Sequence, residues 1–248
     1  MEVIEFSLAL IVLMLLSAFF TAILHGATGM AGGIVLAAIL SHLIGIKLAV
    51  PVVTCSLAFS HASRAYLYIK TVDWRSVRIV LMFSLPTIAF GALLFTYLSS
   101  TLVALMMAGF LAASLPIKYW AKRRQLHASN SVLAGASVLW GMLAGNVIGP
   151  GFVLAPFLQG RGMDRLTFVG SLACIVLVMN LVKLSVFGTS TLLDASSLWL
   201  GILLGIVTIP GNWVGKKMLH NVSDDTHRQI VNAMTILLVF NFLYLALG

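Results

Sequence analysis

The chain has 248 residues, 60% hydrophobic and 9% charged, with a formal net charge of +8 at pH 7. Soluble domains carry about 25% charged residues, so this composition excludes a water-soluble globular domain. Apolar runs recur from end to end, as a bilayer span of roughly 20 residues requires, and the alternating pattern of a β-barrel is absent. The class is all-α: a polytopic helical membrane protein.

The first apolar run, Phe6–Leu24, has an acidic flank (Glu2, Glu5) and no small-residue cleavage site. It is therefore expected to stay in the mature protein rather than act as a cleaved signal. It is followed by "HGATGMAGG" (25–33), four glycines in nine residues with His25 and Thr28 among them. Such a stretch is expected to interrupt a helix. A short apolar piece, Ile34–Ile44, comes next, then the spans Ala49–Ile69, Val77–Leu98 and Thr101–Lys118. The basic stretch 118–130, "KYWAKRRQLHASN", divides the chain near its middle. The second half runs through Ser131–Ala144, a second break "GNVIGPG" (145–151) and the short piece Phe152–Gln159. The spans Leu166–Phe187, Ser196–Trp213 and Gln229–Leu247 complete it.

Both halves follow one plan: helix, glycine break, short piece, three spans. Residues 1–117 and 131–248 are read as two repeats of a transmembrane domain, joined by the cytoplasmic linker 118–130. A shift of 119 residues, the separation of Gly32 and Gly151, also superposes Gly26 on Gly145, Cys55 on Cys174 and Arg64 on Lys183.

Charge decides the orientation. If each broken segment crosses the membrane once, two of the four basic loops fall outside. If each turns back as a hairpin, the stretches 64–78, 118–130, 161–165 and 216–228, with 13 of the 15 lysines and arginines, lie on one side. The positive-inside rule makes that side cytoplasmic and both termini external. Each half then has an odd number of crossings, so the repeats are inverted: a glycine-broken hairpin plus three transmembrane helices, twice. Broken helices in inverted repeats are a transporter architecture. The net charge is thus topological, and no nucleic-acid partner is expected.

Irregular backbone at membrane depth survives only where protein or a water-filled cavity satisfies it. In an inverted repeat the two breaks meet near the midplane, and the helix starts beyond them offer amide donors to an anion. The candidate substrate residues are Gly26, Gly29, Gly32 and Gly33 in the first break and Gly145, Gly149 and Gly151 in the second. His25, Thr28 and Asn146 would be side-chain donors. Arg64 and Lys183, as intramembrane cations, invite a functional role, one near each mouth; snorkelling to headgroups is the alternative. Close helix packing is the competing role for these glycines, and the preferred one for Gly201/Gly205 and Gly211/Gly215 in uninterrupted segments. His61, one turn before Arg64, is a packing histidine or a proton carrier. Cys55 and Cys174 are read as small packing residues. No metal or cofactor is expected, since C-x-x-C and H-E-x-x-H are both lacking.

The two breaks, the "TVDWRSV" loop (71–77), and the glycine-bearing spans "PTIAFGALL" (86–94) and "PGNWVGKKM" (210–218) resemble the sulfite exporter TauE/SafE family, also called the toluene sulfonate uptake permease family. The resemblance covers the whole chain. Family breaks typically read G-x-G-G-G; here they read G-M-A-G-G (29–33) and G-N-V-I-G-P-G (145–151). The resemblance implies an inner-membrane secondary transporter of sulfite or organosulfonates. The expected partners are the small anion and the lipid bilayer, with proton coupling and a homo-oligomer as open options. A carrier of another small organic anion such as a carboxylate, or an anion channel, is the alternative. A membrane enzyme would need a nucleophile with a base inside the spans, and neither G-x-S-x-G nor an intramembrane carboxylate is present.

Overall fold

A computed structural model describes residues 7–149, 151–190, 192–219 and 224–247. Glu2, Glu5, Pro150 and the middle of the 216–228 loop therefore lie outside the described residues. Those described form helices, a single short 3-10 turn (Ile69–Thr71) and no strand. The first half is α1 (Leu8–Thr28), α2 (Gly32–Ile44), α3 (Ile46–Leu67), α4 (Trp74–Tyr97) and α5 (Ser100–Arg123). The second is α6 (Asn130–Asn146), α7 (Gly151–Gln159), α8 (Arg165–Gly188), α9 (Ala195–Leu219) and α10 (Asp224–Leu247). Among the described residues seven helices are long and apolar enough to cross a membrane: α1, α3, α4, α5, α8, α9 and α10. The chain is a multi-pass membrane protein.

Polar caps start these helices where the sequence changes from loop to apolar run. Ser7, Asp73, Ser99, Ser129 and Asp164 each accept a hydrogen bond from a backbone N–H two or three residues on, and Asp194 does so from Ser197 N–H. Each satisfies an amide that the helix itself leaves open.

The breaks are narrower than the sequence suggests. α1 continues through Gly26 to Thr28, and only Gly29–Ala31 leave the helix, with Gly29 left-handed at φ +85°. α6 likewise continues through Gly145 and Asn146. Glycine inside a helix costs only about 1 kcal/mol, and here it lets helices touch. Gly26 lies against Gly215 of α9, and Gly145 against Ile88 and Gly91 of α4. The absence of side chains at these contacts outweighs the propensity term.

Helix directions follow from such contacts. Ala22 meets Gly211 and Gly26 meets Gly215; Cys55 meets Gly201 and Phe59 meets Gly205. So α1 and α3 both run parallel to α9, and α2 must carry the chain back between them. It does so closely: Gly32 abuts Thr21 and His25 of α1, and Gly33 faces Leu57 across the Gly45 turn. With 13 residues and 1.5 Å per residue, α2 is about 20 Å long, too short for a ~30 Å core. In the second half α6 runs parallel to α4, with Gly141 beside Ser84 and Gly145 beside Ile88. Tyr68 at the end of α3 lies on Gly170 near the start of α8, so α3 and α8 are antiparallel. α5 and α10 are antiparallel as well, since Lys118 near the end of one bonds Asn232 near the start of the other.

One end of the bundle collects the basic loops. Lys216 Nζ donates to Leu67 O, Thr71 Oγ1 to Leu166 O, and Arg161 to Ala128 O. Twelve of the fifteen lysines and arginines belong to these linked segments. Lys47 sits at the other end, donating to Phe95 O and Leu98 O at the close of α4. The remaining two, Arg64 and Lys183, are buried; Arg64 thus belongs to the interior rather than to the basic loop counted from residue 64.

Candidate functional site: a small buried cavity between the two breaks

The two breaks face each other across a small cavity. Gly29 and Gly33 line it from the first half, Gly149 and Gly151 from the second. Its open volume is about 20 Å³, room for about one water. Leu57, Leu172, Val176 and Met179 supply apolar walls. Three polar side chains reach it: His25, His61 and Asn180, all at most 4% exposed. Both ring nitrogens of His25 and both amide atoms of Asn180 lack hydrogen-bond partners. His61 Nδ1 lies 2.8 Å from Leu57 O, and its ring stands edge-on to that of His25, 4.9 Å between centroids. A buried polar group without a partner costs about 1–3 kcal/mol, so leaving two in one cavity marks a place built for something polar.

The lining repeats across the halves. Gly29 and Ile148, Met30 and Gly149, Leu57 and Val176, and His61 and Asn180 all line the cavity, and each pair is related by the shift that relates Gly32 to Gly151. The same shift relates Arg64 to Lys183, and their positions match. Arg64 Nη2 donates to Gly29 O at 2.7 Å, where α1 breaks. Lys183 Nζ donates to Ala144 O and Val147 O at 3.2 and 3.0 Å, where α6 breaks. A cation against the terminal carbonyls satisfies groups the helix abandons and complements its dipole. Both are at most 1% exposed, so neither snorkels to headgroups and neither stands at a mouth. Arg64 Nε and Nη1 have no partner. Among the described residues no Asp or Glu is buried, so nothing anionic in the interior balances these two charges.

Of the residues expected from sequence to bind, His25, Gly29, Gly33, Gly149 and Gly151 come together at the cavity. Gly32 packs behind it against Thr21 and His25. Thr28 Oγ1 donates to Leu24 O and accepts from Ala31 N–H, bridging the break. Gly26 and Gly145 sit at interhelix contacts instead, and Asn146 donates to Met142 O beside Gly91. Cys55 and Cys174 are buried and free. Sequence reasoning missed Asn180 as a site residue; the shift from His61 was the signal that would have found it. Among the described residues no group of His, Cys, Asp or Glu has metal-site geometry.

Broken helices meeting at a small buried cavity inside a multi-pass bundle have the architecture of a membrane transporter. The chain belongs to the sulfite exporter TauE/SafE family: the family model matches residues 14–242, nearly its whole length. It is accordingly a transporter and not an enzyme. No curated protein and no solved structure matches it.

Proposed function

We propose that the chain is a secondary carrier of a small sulfur oxyanion, sulfite or an organosulfonate, bound between the two breaks and released to either side by alternating access. The observation that carries this reading is the pairing of unpartnered polar groups, on His25 and Asn180, with two buried cations that no carboxylate among the described residues neutralises. Arg64 and Lys183 hold the break carbonyls rather than line the cavity; their uncompensated charge beside its amide and imidazole groups favours an anion. The sulfur chemistry is taken from the family.

The antiparallel pairing of α3 with α8 and of α5 with α10 supports two inverted repeats. The collection of basic loops at one end supports a cytoplasmic location for that end in a cell inner membrane. At about 20 Å³ the cavity is too small for a four-atom oxyanion, so binding requires its walls to move apart, and an open pore is not what this geometry resembles.

Counterflow in proteoliposomes preloaded with sulfite, sulfoacetate, taurine, sulfate, acetate or phosphate tests the reading. Trans-stimulated uptake confined to sulfur anions is expected. Counterflow with acetate or phosphate alone would remove the sulfur assignment, and flux without trans-stimulation would replace the carrier with a channel.

A further inference from the structure

A second and larger cavity opens at the basic end. It has a volume of about 550 Å³ and is walled by α5, α7, the start of α8 and α10. Lys118, Lys122, Arg165 and Arg228 line its outer part, with Asp164 the one acid among its described lining residues. Its floor is Thr28, Met30, Phe152, Phe168 and Val169. A cleft lined by one sign of charge concentrates counter-ions, and this one leads to the first break.

Met30 is, among the described residues, the one side chain that lines both this cleft and the small buried cavity beyond it. It is also the middle residue of the break, between left-handed Gly29 and Ala31, so it is held by no helix of its own. Toward the opposite end the barrier is thick. Ile34, Met107, Val147 and Ile148, all fully buried, belong to one apolar cluster that continues to Phe95 and Phe187 near Lys47. Met30 thus touches both the basic cleft and the central cavity, whereas that buried apolar cluster stands on the opposite side. At the position related to Met30 by the repeat shift stands Gly149, whose lack of a side chain leaves nothing equivalent to move.

We infer that the basic cleft is the anion's route to the central cavity and that the Met30 side chain is its gate. This rests on reading the central cavity as the substrate site. Flexible and unbranched, methionine changes rotamer readily at small cost, so a local turn at the break opens the route, and admitting the anion then requires the walls of the small cavity to part.

The test is thiol accessibility from one face. In a background with Cys55 and Cys174 replaced by alanine, Met179→Cys places a thiol in the central cavity, which Met179 lines and the cleft does not reach. His127→Cys, exposed at the basic end, reports which face is presented to an anionic, membrane-impermeant methanethiosulfonate. The Met179→Cys thiol is expected to react slowly with Met30 present and about tenfold faster from the basic face with Met30→Ala, as a tenfold rise in open population would give. Met30→Cys itself should react from the basic face in monodisperse protein. Equal Met179→Cys reactivity with and without Met30→Ala, at any speed, would overturn the gate, as would reaction only from the opposite face. Labelling is read without transport. A parent protein without counterflow would therefore remove the carrier reading, while the thiol pattern still decides whether Met30 closes this route.

Discussion

Asn180 and Lys183 sit one turn apart on α8 and call for opposite outcomes. Among the described residues Asn180 bonds neither amide atom to a partner, so Asn180→Leu should stabilise the folded protein by about 1–2 kcal/mol while lowering anion exchange at least about tenfold. Thermal unfolding in detergent and counterflow, measured on the same preparation, check the pair; a stability loss would mean that the amide is structural. Lys183→Met leaves the carbonyls of Ala144 and Val147 without their donor and should cost about 2–3 kcal/mol by the same measurement. The two residues were unequally legible. A lysine inside an apolar run announces itself, because charge there is expensive. A lone asparagine does not, and its lack of a partner is a property of the packed structure, which no local pattern encodes.

At the scale of elements, spans and breaks were readable because length and hydropathy are local properties. Which helices touch was not, and that is where the glycines divide. Gly215 faces the backbone of Ile23 and Ala27 and the α-carbon of Gly26, so Gly215→Leu forces α1 and α9 apart and should cost about 3 kcal/mol or more, seen as lost monodisperse yield. Gly109 and Gly135 lie inside helices with nothing near a would-be Cβ, and alanine at either should raise stability by about 0.5–1 kcal/mol. The four-residue spacing of Gly211 and Gly215 marked them for helix packing, and their contacts agree; nothing local marked Gly109 and Gly135 as free of contacts. The α4 cap adds a pH term. Burial pushes the Asp73 carboxyl up, but hydrogen bonds from Ser76 Oγ and from the Ser76 and Arg75 amides outweigh it and leave its pKa below the usual carboxylate value. A depressed folded-state pKa contributes stability above the unfolded value of about 3.9 and loses it as pH falls through the folded one. Thermal unfolding of Asp73→Asn across that range should accordingly show a shallower acid limb than the parent.

For the whole molecule, charge proved the most informative signal in the sequence. Counting basic residues under two foldings of the broken segments selected the hairpin, and the structure brings the basic loops to one end with α2 doubled back on α1. The sidedness of that end has its own check. Cysteines at His127 and at Tyr97, both exposed at opposite ends, should react with an impermeant reagent from opposite faces of sealed vesicles, the first only from the cytoplasm. What the count left unreadable is the exchange between halves, because it depends on long-range fit. The first helix of the first half lies along α9, and the first helix of the second half lies along α4. Synthesis must cope with that exchange. Ribosomes extend a chain at about 5–20 residues per second, and most of the protein is made after Gly26 and before Gly215. During that interval the face of α1 that will meet α9 has no α9 to pack on, so the close contact of Gly26 with Gly215 is one of the last that the growing chain can make.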